Sequence, residues 1–401
     1  MSERTTPLKI LGGPTLSPWS VVRLLKRGRR AAPLDSARVV FYFQARYALW
    51  HAAKVLGLGR ETSVLVPAFQ CGTELDAFVE LGIPLRFYEV GRSLRVDVEA
   101  LERAVDDRTR AILVTHYFGH AQDLRPVQRF CRERGLFLIE DCAHTLSGKV
   151  GDRFLGTFGD VSVFSMRKIL PAPDGGALRI NRPDLPLPAA RGGPPLSLTL
   201  GALKLSITRN LKNRKGRFGR ALRAALRSPL VRLLKKGRSH VPEVEETIPD
   251  LCAFHPERIH WGMSAVSRRI VESVDPEEVG RRRRENFNYL LANLGVSKEV
   301  EALTGPLPPG ACPWMLPILA RDPDRLLELL RGHGIEIGRF WQDCHPAFPV
   351  DAFPEAAFLK RNVLALSVHQ DHDRDALDRI LAALGTAGRA AATREPAQGT
   401  P

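Results

Sequence analysis

Short apolar segments alternate with amphipathic ones between about residues 39 and 180, and this alternation constrains the fold more than any other feature. The apolar segments predict strands near 63–66, 85–88, 111–114, 136–139 and 161–164. Helices are predicted between them, near 45–57, 73–81, 97–104 and 123–134. The pattern predicts an α/β fold with a mostly parallel central sheet covered by helices on both faces. Ligands in such sheets bind at the carboxyl ends of the strands.

A second α/β pattern begins near Met263 and runs to about Leu384. Helices are predicted at 276–294, 323–332 and 373–384, and a strand is predicted at 316–319. A chain of 401 residues is long enough for two lobes. We therefore predict a large domain over 1–255, with an insertion at about 183–250, and a small C-terminal α/β domain over 256–385. The Ala-, Gly- and Pro-rich tail over 386–401 is predicted to be disordered.

Composition is that of an ordinary soluble globular protein, because 44% of the residues are hydrophobic and no apolar run approaches the ~20 residues of a membrane span. The first residues lack the apolar core of a signal peptide, which predicts a cytoplasmic location. The six cysteines are scattered without CxxC spacing. This distribution favours reduced thiols and predicts no metal site.

The residues that carry chemistry lie just after two of the predicted strands. Asp141 follows the strand near 136–139, and Lys168 follows the strand near 161–164, ahead of a glycine pair. Chemistry on pyridoxal 5'-phosphate (PLP) needs an anion that keeps the ring nitrogen protonated and an amine that binds the aldehyde. Taken alone, each residue is a weak signal, because a single lysine is ordinarily a solvated surface group. Their order and spacing carry more weight.

The order of several motifs resembles that of the DegT/StrS-type sugar aminotransferases, which are PLP-dependent enzymes of fold type I, like aspartate aminotransferase. The matching segments follow the family's order and lie at 64–69, 116–123, 140–144, 156–160, 168–176, 262–264 and 364–369. The resemblance implies a large domain with a mostly parallel central sheet and a smaller C-terminal α/β domain. It also implies PLP as cofactor and a homodimer, because fold-type I sites are normally built where two subunits meet.

The resemblance assigns roles to three residues, which form the predicted catalytic set. Lys168 would hold the cofactor aldehyde covalently and then move the proton between the substrate carbon and the cofactor. Asp141 would pair with the ring nitrogen, and the neighbouring cation is expected to lower the pKa of its carboxyl group. His144 would lie beside the ring and its phenolic oxygen, with either tautomer open.

The cofactor phosphate is expected at a helix N-terminus, where free backbone N–H groups and the helix dipole favour an anion. The matching place is residues 44–49, where Ala45 and Arg46 stand in the family's small, hydroxyl-bearing turn. Arg46 either binds the phosphate as a bidentate donor or is a helix-surface residue. Ser165 is the other predicted phosphate ligand. Because it lies closer to the reactive lysine than the family's serine does, Ser162 is an alternative.

Two cofactor-binding positions depart from the family pattern. Cys71 lies where the family has an aromatic ring stacked on the cofactor, and His260 lies where an asparagine reaches the phosphate of the neighbouring subunit.

The resemblance implies transfer of an amino group from an amino acid, most simply glutamate, to a nucleotide-linked keto sugar. The reaction would belong to polysaccharide or secondary-metabolite sugar biosynthesis. The alternative is a PLP-fold protein that has lost turnover and acts as a membrane-associated scaffold in a glycan pathway.

The net charge of +15 is concentrated in one segment. Residues 204–238 hold 13 Lys and Arg and no Asp or Glu, whereas the rest of the chain has 46 basic and 44 acidic residues. Phe218, Leu222 and Leu226 recur every fourth residue among arginines, which predicts one or two amphipathic helices over 203–238. Three roles stay open: an insertion with a solvated basic face, a peripheral helix on anionic lipid, and, least favoured, a nucleic-acid site.

Overall fold

The computed structural model describes residues 9–17, 28–213, 253–295 and 299–392. At the centre of this described part is a seven-stranded sheet with the strand order β1-β9-β8-β5-β4-β2-β3. Its strands are β1 Val39–Tyr42, β2 Ser63–Pro67, β3 Leu85–Tyr88, β4 Thr109–Thr115, β5 Phe137–Cys142, β8 Val161–Ser165 and β9 Gly176–Ile180. Strands β3, β2, β4, β5 and β8 pair in parallel, and β9 runs antiparallel between β8 and β1. The predicted mostly parallel sheet is confirmed.

Five helices connect these strands; the first four lie where the sequence predicts them, and the fifth was not predicted. They are α1 Ala45–Val55, α2 Leu75–Glu80, α3 Val98–Ala104, α4 Leu124–Arg134 and the short α5 Met166–Ile169. The side chains of Asp97 and Asp123 accept backbone N–H groups at the starts of α3 and α4. Gly135, in the left-handed conformation, ends α4. A small hairpin, β6 Lys149–Val150 with β7 Arg153–Phe154, lies between β5 and β8.

Both faces of the central sheet are covered, and alternate residues of each strand enter different cores. Strand β2 is buried along its whole length. Val64 and Val66 pack in the cluster that contains Ala48 and Ala52 of α1, whereas Leu65 packs in the cluster that contains Val127 of α4. A strand buried on both faces reads as an apolar run, which is why these strands are visible in the sequence.

The C-terminal part of the described chain contains a three-stranded antiparallel sheet of β10 Val300–Ala302, β11 Met315–Ala320 and β12 Val363–Ser367. Helices α8 Pro276–Asn293, α9 Pro323–Gly332 and α11 Arg374–Ala392 share a buried core with this sheet, and α10 Pro354–Asn362 packs beside β12. Helix α7 Ala265–Ser273 packs instead in the cluster that contains Met166 of α5. The expected disorder from residue 386 is wrong for 386–392, because α11 continues to Ala392 through an alanine-rich stretch that favours a helix. Residues 393–401 lie outside the described residues.

Helix α6, Leu196–Lys212, contains the start of the predicted basic helices. Residues 214–252, with most of the basic segment, lie outside the described residues. The described helix is anchored by polar contacts: the Oγ of Ser206 accepts the Leu16 N–H at 2.9 Å, and Arg209 pairs with Glu336. In the described part of the chain, no helix combines the length and apolar character needed to cross a membrane.

Candidate active site

Asp141 and Lys168 meet at the carboxyl edge of the central sheet. Asp141 is the next-to-last residue of β5, and it pairs in register with Val163 of the neighbouring parallel strand β8. Strand β8 ends at Ser165 and passes directly into α5, which carries Lys168. The positive charge of Lys168 lies close enough to lower the pKa of Asp141. The structure thus brings together the amine and the carboxylate that the sequence predicts.

The Asp141 carboxylate is buried and only partly satisfied by the protein. Its Oδ1 accepts the N–H of Ala143 at 2.8 Å, and its Oδ2 receives a longer contact of 3.4 Å from the Thr115 hydroxyl. Burial raises the pKa of Asp141, and the charge of Lys168 offsets this only in part. In this chain by itself desolvation outweighs the charge of Lys168, whereas the expected lowering of the pKa concerned the pair with the charged ring nitrogen of the cofactor and stays a prediction. A cation placed on Oδ2 would stabilise the carboxylate further.

His144 is held as a neutral imidazole with a defined tautomer. Its Nδ1 lies 3.0 Å from the N–H of Phe118 and accepts that hydrogen bond, so the proton of the neutral ring is on Nε2. Burial holds the pKa of His144 well below its usual 6.5, and the nearby charge of Lys168 acts in the same direction. His144 therefore offers one fixed N–H donor beside Lys168. The tautomer that the sequence left open is settled by the Phe118 amide.

Glu140 occupies the opposite face of β5 from Asp141, since neighbouring residues of a strand alternate. Its carboxylate accepts hydrogen bonds from His116 Nε2 at 3.0 Å and from the backbone N–H groups of Gly156, Phe158 and Gly159 at 2.6, 2.8 and 2.9 Å. Because Nδ1 of His116 accepts the Gln122 N–H, its Nε2 carries the proton. These bonds tie the ends of β4 and β5 to the loop before β8.

Ser162 belongs to this network and not to the face that carries Asp141. Its hydroxyl donates to Glu140 Oε2 at 3.3 Å and accepts from Asn181 Nδ2 at 3.2 Å. The prediction of Ser162 as the alternative phosphate ligand is therefore wrong.

The Glu140 network also contains a group of potential metal ligands. Cys142 contacts Glu140, and the ligand atoms of Glu140, Cys142 and His116 lie within 4.8 Å of one another. Hydrogen bonds already occupy both imidazole nitrogens and both carboxylate oxygens, so this cluster acts as a structural brace.

The start of α1 lies against the first residue of β9, as a phosphate site at this edge of the sheet requires. Gln44 is extended and provides no side-chain cap for the first turn. A Cβ atom on Gly176 would lie 2.4 Å from the backbone nitrogen of Ala45, so only glycine permits this close approach. Gly176 pairs in register with Ser165. Ala45 and Ser165 therefore lie near each other, in an arrangement that fits a bound anion.

The guanidinium group of Arg46 is directed towards a carboxylate of the protein. Its Nη1 lies 3.5 Å from Oδ2 of Asp76, and only 9% of the side chain is exposed. His345 Nε2 lies 3.2 Å from the other oxygen of Asp76. Arg46 is thus not a solvated helix-surface residue. Its role as a phosphate donor stays a prediction.

Cys71 lies beside a second acidic group that the sequence analysis missed. The N–H of Cys71 donates to Glu74 Oε1 at 3.1 Å, and its sulfur lies 3.4 Å from the Thr73 hydroxyl. Burial raises the pKa of both Cys71 and Glu74, and the charge of Lys168 lowers both. The site therefore contains Glu74 in addition to Asp141. The position of Glu74, three residues after Cys71 at the start of a helix, was the available signal.

Two tryptophans from the C-terminal part also reach the site. The Nζ atom of Lys168 lies 4.6 Å from the centre of the Trp314 ring, and that ring lies 4.5 Å from the ring of His144. Trp341 has a φ of 59°, an uncommon conformation for such a residue, and its ring centre lies 5.4 Å from that of His144. No motif marks either tryptophan in the sequence.

His260 does not join this group of residues. It is exposed, and its ring lies 5.9 Å from Trp50 and 5.3 Å from His51, centre to centre, beside the middle of α1. Its predicted role concerns the phosphate of a neighbouring subunit, so an exposed position agrees with that role. The role itself stays a prediction.

The donor set fits PLP, which combines an aldehyde, a pyridine nitrogen and a phosphate. Lys168 offers an amine for the aldehyde, and Asp141 offers a buried carboxylate with one weakly bonded oxygen for the ring nitrogen. His144 offers an N–H donor beside them. The first turn of α1, closed against Gly176, offers backbone donors for the phosphate. Charge and hydrogen-bonding capacity therefore match the three parts of the cofactor.

Solved structures with the same architecture define the fold class. The aminotransferase TlmJ from Streptoalloteichus hindustanus superposes with a TM-score of 0.66 and 23% identity, covering 96% of this chain and 100% of that chain. Helicobacter pylori PseC, an aminotransferase involved in the biosynthesis of pseudoaminic acid, gives a TM-score of 0.66 at 16% identity, with the same coverage. The protein has the α/β fold of fold type I, the fold of PLP-dependent sugar aminotransferases.

Residues 38–188 match the DegT/DnrJ/EryC1/StrS aminotransferase family, and the predicted family resemblance is confirmed for this region, which contains Asp141 and Lys168. GDP-perosamine synthase of Vibrio cholerae is 36% identical over 137 residues, covering 33% of this chain and 37% of that protein. dTDP-4-dehydro-2,3,6-trideoxy-D-glucose 4-aminotransferase of Saccharopolyspora spinosa is 34% identical over 155 residues, covering 38% and 40%. The chain thus spans about two fifths of the length of these relatives.

Proposed function

We propose that the protein is a PLP-dependent aminotransferase that moves an amino group from an amino acid to a keto sugar. The observation that carries this proposal is the meeting of Lys168 and Asp141 at the carboxyl edge of a fold-type I sheet. Bound PLP supplies the electron-withdrawing ring that stabilises negative charge on the substrate carbon. Asp141 would keep a proton on the ring nitrogen, Lys168 would carry the proton of the substrate carbon, and His144 Nε2–H would orient the phenolic oxygen.

The substrate proposal rests on the relatives. Their names describe synthesis of GDP-perosamine and amination of a dTDP-linked deoxy sugar, and another relative is a spore coat polysaccharide biosynthesis protein of Bacillus subtilis. We propose a nucleotide-linked keto sugar as acceptor and glutamate as the simplest donor, in polysaccharide or secondary-metabolite sugar biosynthesis. Trp314 provides an apolar ring beside the reactive amine against which a sugar can pack.

The proposal predicts a coloured protein. Purified protein with added PLP is expected to show a visible absorption band from the lysine-bound cofactor, and glutamate should shift that band to shorter wavelength. A panel of keto-sugar nucleotides, assayed for glutamate-dependent amination by mass spectrometry, then identifies the acceptor. A protein that stays colourless and binds no PLP would contradict the enzyme and support the catalytically inactive scaffold.

We also propose a homodimer in which His260 of each subunit approaches the phosphate site of the other, and a chain divided into domains over 1–255 and 256–385. The exposed ring of His260 supports the first part. In size-exclusion chromatography, the protein is expected to elute at an apparent mass of twice 44.5 kDa.

We propose that the protein acts in the cytoplasm. The described part of the chain contains five cysteines as free thiols, which supports action in this reducing compartment: Cys71, Cys131, Cys142, Cys312 and Cys344.

A peripheral membrane contact is proposed for the segment that begins in α6. Leu196 and Leu200 are one turn apart, 69% and 52% exposed, and Leu198 between them is 36% exposed. The basic residues of 204–238 follow directly. Exposed leucines beside a basic segment suit the surface of an anionic bilayer, where each Lys or Arg contributes about 1 kcal/mol.

Flotation with phosphatidylserine-containing vesicles tests this contact. The wild-type protein is expected to float at low salt, and both deletion of 204–238 and Leu196→Ser with Leu200→Ser should reduce the floated fraction. Val79→Ser, at an exposed apolar position of α2, is the matched control and should float like the wild type. Equal flotation of all variants, or no flotation of the wild type, would reject the membrane contact and leave a solvated basic insertion.

A further inference from the structure

Arg283 of α8 is the largest fully buried side chain in the described part of the chain. Its Nε donates to Oε1 of Gln370 at 2.8 Å. Its Nη1 donates to the carbonyl oxygens of Pro313 and Trp314 at 3.3 and 3.0 Å, and its Nη2 donates to the carbonyl oxygen of Ile169 at 3.0 Å. One guanidinium group therefore connects three separate segments of the chain.

Two of these segments carry the immediate surroundings of the reactive amine. Ile169 follows Lys168 and is the last residue of α5, so its carbonyl is one of the groups that a helix end leaves unpaired. Trp314 carries the ring that lies 4.6 Å from Lys168 Nζ. Nε2 of Gln370 donates to the Ile169 carbonyl as well, at 3.2 Å. Arg283 thus joins the backbone next to the amine to the backbone of the ring beneath it.

The hydrogen bonds of Arg283 depend on the shape of its guanidinium group as well as on its charge. Burial lowers the pKa of Arg283 to about 10, which is still far above neutrality, so the side chain stays charged. The acceptors named above are neutral oxygen atoms, and they would stay buried without this donor if an apolar residue replaced Arg283. The guanidinium group differs from such a replacement in that its N–H donors point in fixed directions within one plane.

We propose that Arg283 is a positioning residue that fixes Lys168 over the Trp314 ring. The inference rests on the proposed function, in which Lys168 is the reacting amine. With the guanidinium group in place, α5 and the segment at 313–314 cannot shift independently, so the amine keeps its place relative to Asp141 and the substrate. A displacement of about 1 Å at reacting groups can reduce a rate by about 10²-fold.

The test compares Arg283→Lys with Arg284→Lys. The first variant keeps the charge, but an ammonium group cannot reproduce the planar array of donors. Arg284 is the next residue of α8, and its Nη1 donates to the carbonyl oxygen of Ala311 at 2.5 Å. Protein free of cofactor is treated with a lysine-acylating reagent, and mass spectrometry measures modification of Lys168 relative to Lys149 in the same sample. Transamination with added PLP is measured separately.

In Arg283→Lys, acylation of Lys168 relative to Lys149 is expected to change by at least about threefold and kcat to fall by about 10²-fold, with KM for the amino donor nearly unchanged. Arg284→Lys should resemble the wild type in both measurements. If acylation of Lys168 and kcat in Arg283→Lys equal those of the wild type, the positioning role is overturned. If the wild type shows no transamination but Arg283→Lys still changes the acylation of Lys168, the proposed function is rejected and the positioning role is supported.

A second variant covers a failure of Arg283→Lys to fold. Gln370→Ala removes the other donor to the Ile169 carbonyl and the acceptor of Arg283 Nε, but it leaves the guanidinium group in place. It is expected to change acylation of Lys168 in the same direction and by a smaller factor. Acylation equal to that of the wild type in Gln370→Ala would then overturn the proposal.

Discussion

Lys168→Ala is expected to reduce the rate of amino transfer by roughly 10²–10⁴-fold, because the variant lacks the amine that we propose moves the proton of the substrate carbon. In the proposed function the same amine binds the cofactor aldehyde covalently. Borohydride reduction followed by peptide mass spectrometry should therefore find a pyridoxyl group on the peptide that contains Lys168 in the wild type and none in the variant. Turnover is measured with glutamate and the keto-sugar nucleotide panel.

Lys149→Ala is the matched control for this experiment. Its Nζ pairs with Glu277 at 2.7 Å and lies 4.3 Å from the centre of the Phe154 ring, on the hairpin of β6 and β7. Loss of such a surface pair costs about 0–1 kcal/mol, so this variant should fold and turn over like the wild type. Full turnover in Lys168→Ala, or a pyridoxyl group on another lysine of the wild type, would contradict the assignment.

The sequence was sufficient to predict the five parallel strands of the central sheet and the edge at which Asp141 and Lys168 meet, but not the outer strands β1 and β9. Strands such as β2 are buried on both faces, so they read as apolar runs that helical segments separate. Asp141 and Lys168 follow neighbouring parallel strands, and the carboxyl ends of such strands lie at one edge. Their proximity therefore follows from the topology. The alternation of faces along β8 also explains why Ser165 lies near the start of α1 and Ser162 does not.

Other parts of the site could not be predicted, because their residues are distant in the sequence and look ordinary there. Arg283 stands within a run of four arginines on α8, and only the packed structure distinguishes it from its exposed neighbours Arg281 and Arg282. Trp314 and Trp341 come from segments without a motif. Asp141 shows a different limit: its position was predictable, but the direction of its pKa depends on the degree of burial, which no motif encodes.

Glu140→Ala is expected to lower the free energy of unfolding by about 3–5 kcal/mol, because it removes a buried acceptor that several donors share. His116 Nε2 and the N–H groups of Gly156, Phe158 and Gly159 would lose their partner. Denaturant unfolding near neutral pH measures the change. Glu133→Ala, an exposed position of α4, is the control and should change the free energy by less than about 0.5 kcal/mol.

Glu140→Gln keeps the shape of the side chain but removes its charge. The pH dependence of the free energy of unfolding, compared between this variant and the wild type, therefore measures the contribution of the charge. Burial by itself raises the pKa of Glu140, but the hydrogen bonds from His116 and from the N–H groups of Gly156 and Gly159 outweigh it and lower the pKa. A carboxyl group with a lower pKa in the folded state stabilises the fold above its unfolded pKa of about 4.3, and this contribution is lost as the pH falls through the folded pKa. The stability difference between wild type and Glu140→Gln should therefore be largest near neutral pH and decrease in acid. A difference that stays constant down to the acid transition would show that the ionised carboxylate does not stabilise this brace.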